Sequence, residues 1–307
     1  MKKAILCFSD EGRAAASLVA KLKDIPGETA LWALGGLDGF APEDTGADMV
    51  FEIGFANSAA LLEPVSCARA ILALFGGEVP DVISAISSPR GDALIAQFSL
   101  LTDAACLAGA SALLLKNGGL VAQKRVYAGN LLADFAVQAP PLAVSLLPGG
   151  DTLEKSAPVC RTLKTDATLP NWLTDLEFHE TEKANSLAEA RIVVAAGRGA
   201  GNRDNLKRLD TLTGVLGGVL GGTRPVICDG RLPPERQLGL SGTCASPELC
   251  LVFGASGAAA FRAGIDGSKI IVAVNKDPDA PIFESSDFGV VSDSAAFASA
   301  LTDALQK

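Results

Sequence analysis

Four short stretches in the second half of the chain combine glycine with polar or charged side chains that could hold a ligand. They are GRGAGN, which begins at Gly197; GGTR, which ends at Arg224; GASGAAA, which begins at Gly254; and NKDPDAP, which begins at Asn275. Glycine lets a ligand approach the backbone closely, and an arginine side chain binds anionic groups. Each stretch alone is more typical of an ordinary turn, but together they favour a site for a nucleotide-like cofactor.

Side chains for hydrolytic or metal-dependent chemistry are scarce. The only histidine, His179, lies in a polar stretch and is predicted to face solvent, so neither a Ser/His/Asp triad nor a histidine-rich metal site is expected. Seven cysteines are scattered without a CxxC pair, which argues against a disulfide framework, zinc or an iron–sulfur cluster. The GxGxxG motif is absent, which disfavours an NAD-dependent dehydrogenase. No metal is predicted, and the chain is expected to hold a cofactor rather than to cleave bonds.

Five short apolar runs in the same half predict the strands of a parallel sheet that positions these stretches. The runs are 191–197, 225–229, 249–254, 269–275 and 288–292. Between the first two runs, leucines recur every three or four residues from Leu206 to Leu220, which predicts a helix. On this layout Arg224 directly precedes a strand, where it is either a surface cap or a cation directed into a cleft. Ligands bind beyond the carboxyl ends of the strands in such sheets, so we expect the site at that edge.

The first half of the chain alternates strand-like and helix-like segments, which predicts a second parallel sheet. A strand over KAILCF, a helix over RAAASLVAKLKD and a strand over TALWAL open the pattern, and two further helices are predicted at 59–75 and 92–108. Residues 118–145 contain shorter extended pieces that could form an antiparallel edge or a small sheet. The polar stretch 149–190 is interpreted as a linker or as a strand with its loops, and we place the domain boundary near its end.

Composition fits two doubly wound α/β domains, which we place at residues 1–188 and 189–307, the second built on a five-stranded parallel sheet. Hydrophobic residues make up 49% of the 307 residues and charged residues 20%, a balance that supports a buried core in each domain. The formal net charge of −9 argues against nucleic acid as a partner. No uninterrupted apolar run reaches ~18 residues, so no membrane span is predicted. A chain with scattered thiols and no span is expected in the cytoplasm.

The motifs of the second half closely resemble the FAD domain of the electron transfer flavoprotein alpha subunit. The stretches that carry the resemblance are AAGRGAGNRDNLKRL, GGTRPVICDGRLPPERQLGLSG, SPELCLVFGASGAAAFRAG and KIIVAVNKDPDAPIFESSDFGVVSD, which follow one another almost without gaps. In the first half, RVYAGN and the region from Ser87 to Leu113 resemble the family more faintly. The resemblance implies an FAD-holding electron carrier, not an enzyme, whose N-terminal domain contacts a homologous beta subunit.

The resemblance also implies partners for electron transfer. The carrier would take electrons from an acyl-CoA-dehydrogenase-like or other flavin dehydrogenase and pass them to a quinone-linked or other acceptor. The alternative is a paralogous scaffold or binding subunit of the same fold that has lost FAD or holds it weakly. A yellow purified heterodimer with a flavin spectrum separates these two hypotheses.

The family's cofactor contacts carry over to matching positions in this chain. Arg198 resembles a basic residue near the flavin, and Arg224 resembles the arginine that lies against the isoalloxazine ring, where a permanent cation stabilises negative charge on the reduced ring. Thr223 takes the place of a serine that contacts the cofactor, and Ser241 matches a threonine whose hydroxyl bonds to flavin N5. The full set of expected cofactor-binding residues is Arg198, Gly199, Thr223, Arg224, Leu240, Ser241, Gly242, Gly254, Ser256, Gly257, Phe261, Asn275 and Asp293.

The same resemblance implies which parts of FAD the last motifs of the chain contact. Ser256, with the backbone of Gly254 and Gly257, is expected at the pyrophosphate or the ribityl chain, and Asn275 and Asp293 are expected on the adenosine side. Asp293 fits equally well as the N-cap of a helix that begins in SDSAAFASAL, so both interpretations stay open.

Three positions depart from the family pattern. Leu240 stands where the family commonly has glutamine, and Ala260 and Phe261 stand where it has glutamine followed by histidine. The family's histidine bonds the pyrimidine edge of the flavin, and a phenylalanine side chain has no donor for that bond. We therefore predict a lower flavin potential or weaker FAD retention than in ordinary members of the family.

Overall fold

The structure is a computed structural model that describes residues 1–127, 129, 131–149, 155–173 and 187–306. The chain divides into two compact units, the first made of residues 1–126 and 131–181 and the second of residues 127–130 and 182–307. His179, predicted to face solvent, lies outside the described residues. The assignment of distinct roles to residues 1–188 and 189–307 stays a prediction.

The first unit is an α/β unit with ten strands and three α-helices among its described residues. The strands are β1 (Lys3–Phe8), β2 (Thr29–Leu34), β3 (Met49–Phe55), β4 (Val82–Ile86), β5 (Ala105–Ala110), β6 (Ala112–Lys116), β7 (Gly119–Val126), β8 (Leu131–Ala136), β9 (Leu142–Leu146) and β10 (Val159–Thr165). The helices are α1 (Gly12–Lys21), α2 (Pro64–Leu74) and α3 (Pro89–Thr102).

Seven of these strands form a parallel sheet in the order β10-β3-β2-β1-β4-β9-β5, which confirms the predicted parallel sheet. The other three, β6, β7 and β8, form an antiparallel sheet of their own, as expected for part of 118–145. β10 comes from the polar stretch that the sequence left undecided, and it pairs with β3 along its whole length.

The two long helices predicted in this unit are shorter in the structure. The helix predicted at 59–75 is interrupted at Glu63, because Pro64 begins a new helix and the Glu63 carboxylate accepts hydrogen bonds from the backbone N–H groups of Val65 and Ser66. The helix predicted at 92–108 ends at Thr102, because Asp103 adopts a left-handed conformation.

Glu11 is a buried acid whose ionisation opposes folding. Its carboxylate accepts a hydrogen bond from the backbone N–H of Phe8 at 3.1 Å and lies 3.3 Å from the Arg90 guanidinium. Burial outweighs both contacts and raises the pKa of Glu11 from 4.5 to about 7. Because the unfolded chain then releases this proton at lower pH than the folded chain, the stability that depends on Glu11 is lost as pH rises from about 4.5 to about 7.

We expect Glu11→Gln to be more stable than the parent chain at pH 8 by about 1 to 3 kcal/mol, since glutamine has no charge to bury. At pH 5 the parent carboxyl is protonated in the folded state and the difference should nearly vanish. Urea unfolding followed by circular dichroism at both pH values measures this. An equal gain at pH 5 and pH 8 would show that ionisation is not the cause.

The second unit contains five strands and four α-helices among its described residues. The strands are β11 (Ile192–Ala196), β12 (Val219–Gly222), β13 (Leu249–Phe253), β14 (Ile270–Asn275) and β15 (Phe288–Val291). The helices are α4 (Arg203–Leu216), α5 (Arg224–Cys228), α6 (Ala259–Arg262) and α7 (Ser294–Leu305). The strands form one parallel sheet in the order β12-β11-β13-β14-β15, which confirms the five-stranded parallel sheet.

The strand predicted at 225–229 is wrong. This segment is α5, and Pro225 lies in its first turn, where its missing N–H costs no hydrogen bond. Arg224 therefore begins a helix and does not precede a strand.

The second strand of the unit is β12, which begins earlier than predicted. Helix α4 ends at Leu216 because Gly217 adopts a left-handed conformation with φ 62°, so Leu220 lies in β12 and not in the helix. Half of the residues of β12 are glycine, so the strand does not form the apolar run that predicts a buried strand.

The sheet order creates a crevice at one edge of the second unit. β11 comes first in the chain, with β12 on one side and β13 on the other. The connections after β11 and β13 therefore run in different directions, and the carboxyl ends of these two strands form the switch point where open α/β sheets bind ligands.

Candidate functional site

A cavity of about 600 Å³ lies at this switch point in the second unit. Its walls are the turns that follow β11, β12, β13 and β14, together with the loop 237–243. This volume lies within the range of cofactor sites, which span about 300 to 1,000 Å³. The lining residues are Arg198, Gly199, Thr223, Arg224, Pro225, Leu238, Gly239, Ser241, Gly254, Ala255, Ser256, Gly257, Ala258, Ala260, Phe261, Asn275, Asp277, Ala280 and Pro281.

The turns after β11 and β13 are in direct backbone contact, and glycine makes that contact possible. The N–H of Gly199 donates to the carbonyl of Gly254 at 3.0 Å. Gly254 has a φ of 62°, and a Cβ atom there would lie 2.5 Å from the backbone nitrogen of Ala200. A side chain at position 254 would therefore push the two turns apart and alter the floor of the cavity.

Backbone donors line the cavity after β13. Among the hydrogen bonds of the described part of the chain, none is donated by the backbone N–H groups of Ser256, Gly257 or Ala258. Gly257 has a φ of 87°, which turns the chain between these groups. Successive free N–H groups in such a turn bind anionic oxygen atoms. This wall of the cavity suits a phosphate.

Two cations and one acid face the same space. Arg198 and Arg224 line the cavity, are exposed, and form no ion pair with any described residue. Asp277 is the acidic residue of the lining. The excess of positive charge in a chain with a net charge of −9 indicates a local site for an anionic ligand.

Thr223 presents a hydroxyl group without a partner. The residue is 7% exposed, and its backbone N–H donates to the carbonyl of Ala196 at 2.9 Å. Its Oγ1 atom is buried and forms no hydrogen bond in the described structure. A buried hydroxyl that lacks a partner costs about 1 to 3 kcal/mol. A ligand that bonds this oxygen would recover that free energy.

We expect Thr223→Val to change stability and ligand affinity in opposite directions. Without ligand, valine removes the unpaired hydroxyl and should stabilise the unit by about 1 kcal/mol, while the loss of a ligand hydrogen bond should weaken binding about tenfold. Thermal unfolding of ligand-free protein and a binding titration measure the two effects.

Thr213→Val is the matched control for this prediction. Thr213 is equally buried, but its hydroxyl donates to the carbonyl of Leu209 at 2.6 Å and lies away from the cavity. This change should not stabilise the protein or alter binding. A Thr223→Val variant that binds as tightly as the parent would contradict the assigned role of the hydroxyl.

Asn275 joins the end of β14 to the turn after β13. Its Nδ2 donates to the carbonyl of Ala255 at 2.8 Å, and its Oδ1 accepts from the backbone N–H of Asp277 at 3.1 Å. Both ends of the amide are thus engaged within the protein, so the side chain fixes the shape of the cavity wall. Its expected contact with the adenosine side of a cofactor stays a prediction.

Ten of the thirteen expected site residues line the cavity, and Leu240, Gly242 and Asp293 do not. Leu240 is exposed next to the lining, and its N–H donates to the carbonyl of Ala260 at 2.9 Å. The Asp293 carboxylate accepts from the N–H groups of Ala295 and Ala296 at 3.0 Å, which confirms the interpretation as the N-cap of α7. Cofactor contacts by all thirteen residues stay predictions.

Most of the lining residues that were not predicted from the sequence have small side chains or contribute backbone atoms to the lining. Asp277 is the exception, since it lies in the NKDPDAP motif and could have been found there. The others are neighbours of nominated positions within the same turns. They are Pro225, Leu238, Gly239, Ala255, Ala258, Ala260, Ala280 and Pro281.

Two features are absent from the described part of the chain. In the described ranges, no group of three or more His, Cys, Asp or Glu side chains could hold a metal ion. Nor does any helix in them have the length and apolar character needed to cross a membrane.

Comparison with known proteins relates part of this chain to a described protein family. The family described as the electron transfer flavoprotein FAD-binding domain matches residues 186–266. An Escherichia coli protein named as electron transfer flavoprotein subunit YdiR is 32% identical over 248 residues, which is 78% of this chain and 78% of that protein.

Two further relatives extend the comparison. The electron transfer flavoprotein subunit alpha of Mycobacterium leprae is 46% identical over 120 residues, 39% of this chain and 38% of that protein. Protein FixB of Clostridium saccharobutylicum is 33% identical over 187 residues, 58% of this chain and 55% of that protein.

Proposed function

The chain belongs to the electron transfer flavoprotein alpha-subunit family, and on that premise we propose how its residues hold the cofactor and which proteins it serves. It acts as the FAD-holding subunit of an electron carrier, and its family implies a beta subunit as partner. The observation that carries the residue-level proposal is the buried hydroxyl of Thr223, which has no partner among the described residues and lines the same cavity as Arg198 and Arg224.

The residues of the cavity fit FAD in size, charge and hydrogen-bonding capacity. The free N–H groups of Ser256, Gly257 and Ala258 suit the pyrophosphate, which needs donors and no side-chain bulk. The Thr223 hydroxyl supplies a further polar contact, and Arg198 and Arg224 neutralise negative charge. FAD, when bound, supplies the ability to accept and release electrons one or two at a time.

The protein's own groups orient the cofactor and bias its charge. A guanidinium keeps its charge at all physiological pH values, so Arg224 offers a fixed positive potential at the cavity. The apolar wall at Phe261 and Leu238 excludes water from one side, which strengthens that potential. As a member of the electron transfer flavoprotein family, the chain carries electrons and transforms no organic substrate.

We extend the proposal to partners and location. Electrons arrive from an acyl-CoA-dehydrogenase-like or other flavin dehydrogenase and leave to a quinone-linked or other acceptor, while the beta subunit contacts the N-terminal unit. The complex works in the cytoplasm. The support for these points is the relationship to electron transfer flavoproteins.

Co-expression with the beta-type partner, purification and flavin counting test the proposed function. We expect a yellow heterodimer that releases FAD on denaturation. One FAD per heterodimer supports simple transfer, and two support a second flavin in the partner chain. A colourless complex that binds no added FAD would overturn the proposal in favour of the scaffold alternative.

Phe261→His should strengthen FAD binding, because it adds an N–H donor to the cavity wall at the position where the family has histidine. We expect about tenfold tighter binding and a higher midpoint potential, at a cost of about 2 kcal/mol in stability because Phe261 is 6% exposed and packs in the core.

Flavin fluorescence titration and potentiometry measure the effects of Phe261→His. Phe283→His is the matched control, since Phe283 packs against the same core cluster but does not line the cavity. It should lose stability without gaining affinity for FAD. Equal FAD affinity in the Phe261→His variant and the parent chain would refute the predicted effect of the missing histidine.

A further inference from the structure

Gln237 makes a side-chain contact with a residue of the cavity lining. Its Nε2 donates a hydrogen bond to the hydroxyl oxygen of Ser241 at 2.9 Å. Ser241 lines the cavity, whereas Gln237 does not. Gln237 can therefore influence a ligand through Ser241 without touching the ligand.

This contact limits the directions in which the Ser241 hydroxyl hydrogen can point. A serine hydroxyl has one hydrogen to donate and two lone pairs to accept with. Because the amide of Gln237 already donates to the oxygen, the hydroxyl hydrogen cannot also point at that amide nitrogen. The hydrogen remains available for donation to another acceptor, and Ser241 lines the cavity.

The loop 237–243 holds Gln237 in place through its backbone. The carbonyl of Gln237 accepts from the N–H of Thr243 at 2.8 Å, and the N–H of Gly242 donates to the carbonyl of Gly239 at 2.9 Å. A Cβ atom at Gly242 would lie 2.9 Å from the Cβ of Gln237, so only glycine permits this close approach. The loop thus brings the amide of Gln237 to Ser241 in a defined geometry.

We propose that Gln237 is a positioning residue that orients the Ser241 hydroxyl as a hydrogen-bond donor toward an acceptor atom of the bound cofactor. The proposal rests on the proposed function, because it takes FAD as the occupant of the cavity. It concerns the residues of this chain alone: Gln237 sets the direction, and Ser241 makes the contact.

A double-mutant cycle in the co-expressed heterodimer tests the proposal. FAD is removed and the dissociation constant of added FAD is measured by flavin fluorescence for Gln237→Met, Ser241→Ala and the double variant. We expect Ser241→Ala to weaken binding about tenfold and Gln237→Met about fivefold, since each loses the oriented hydrogen bond. In the Ser241→Ala background, Gln237→Met should change the constant less than about twofold.

Gln237→Glu reverses the polarity of the contact. A carboxylate only accepts, so the Ser241 hydroxyl hydrogen would turn toward it and away from the cofactor. This variant should bind FAD as weakly as Ser241→Ala, and the visible absorption band of the bound flavin should shift in both. Gln123→Met is the control, because Gln123 also donates to a side chain, that of Asp134 at 2.8 Å, but lies in the first unit.

The outcomes separate this inference from the proposed function. If the parent heterodimer and all variants fail to bind FAD, the proposed function itself fails. If FAD binds but the effects of Gln237→Met and Ser241→Ala add, the two residues act independently and the positioning role is overturned. Thermal unfolding of each variant identifies any loss of FAD affinity that comes from a destabilised loop. If Gln237→Met does not fold, Gln237→Glu gives the decisive result, because it preserves the size of the side chain.

Discussion

Gly254→Val is expected to destabilise the second unit by about 4 kcal/mol and to abolish FAD binding. A β-branched residue at a φ of 62° is strained by about 1 to 3 kcal/mol, and overpacking adds a similar cost. The added Cβ would lie 2.5 Å from the nitrogen of Ala200, so the turns after β11 and β13 must separate. Since these turns form adjoining walls of the cavity, the binding site deforms with them.

Urea unfolding and FAD extraction from the purified heterodimer measure these two effects. Gly214→Ala is the control, because Gly214 lies within α4 and a Cβ atom there would meet nothing within 4 Å. That change should stabilise the helix by about 0.5 to 1 kcal/mol and leave the FAD content unaltered. Normal FAD content in Gly254→Val would show that the contact between the two turns does not shape the site.

Arg224→Gln is expected to weaken FAD binding about 100-fold, since hydrogen bonds from a charged group contribute about 1.5 to 3 kcal/mol. The midpoint potential of the remaining bound flavin should fall, because reduction adds negative charge that the guanidinium stabilises. Arg224→Lys keeps the charge but loses the planar donor geometry, so we expect an intermediate loss of about tenfold.

Fluorescence titration and potentiometry distinguish the effects of charge and shape at Arg224. Arg208→Gln is the control, because Arg208 lies on α4, donates to the hydroxyl of Ser299 at 3.2 Å and does not line the cavity. It should bind FAD normally. If Arg224→Gln has the affinity and potential of the parent chain, the guanidinium does not act on the cofactor.

The glycine pattern made much of the site predictable. Gly199, Gly254 and Gly257 follow apolar runs closely enough that a parallel sheet had to bring them to one edge, and the cavity includes all three. Asp293 showed the limit of this reasoning, since its sequence context fitted both a cap and a ligand contact. Hydrogen-bond distances to Ala295 and Ala296 were needed to confirm the cap.

Other features required the folded chain. The run after Arg224 contains valine and isoleucine, whose strand preference suggested a strand, but tertiary structure places that segment in α5. The unpartnered hydroxyl of Thr223 depends on burial among residues distant in sequence, which no local pattern reports. The contact between Gln237 and Ser241 likewise depends on a turn whose geometry comes from several backbone hydrogen bonds at once.

The pairing of β10 with β3 has a consequence for synthesis of the protein. During translation, β3 leaves the ribosome long before β10, so one hydrogen-bonding edge of the nascent sheet stays open to strands of other molecules. Arrival of β10 covers that edge and presents the exposed charged side chains of Arg161 and Lys164, which discourage further strand addition. Aggregation during biogenesis should therefore be governed by how quickly this late strand docks, and chaperones that shield the β3 edge should raise the soluble yield.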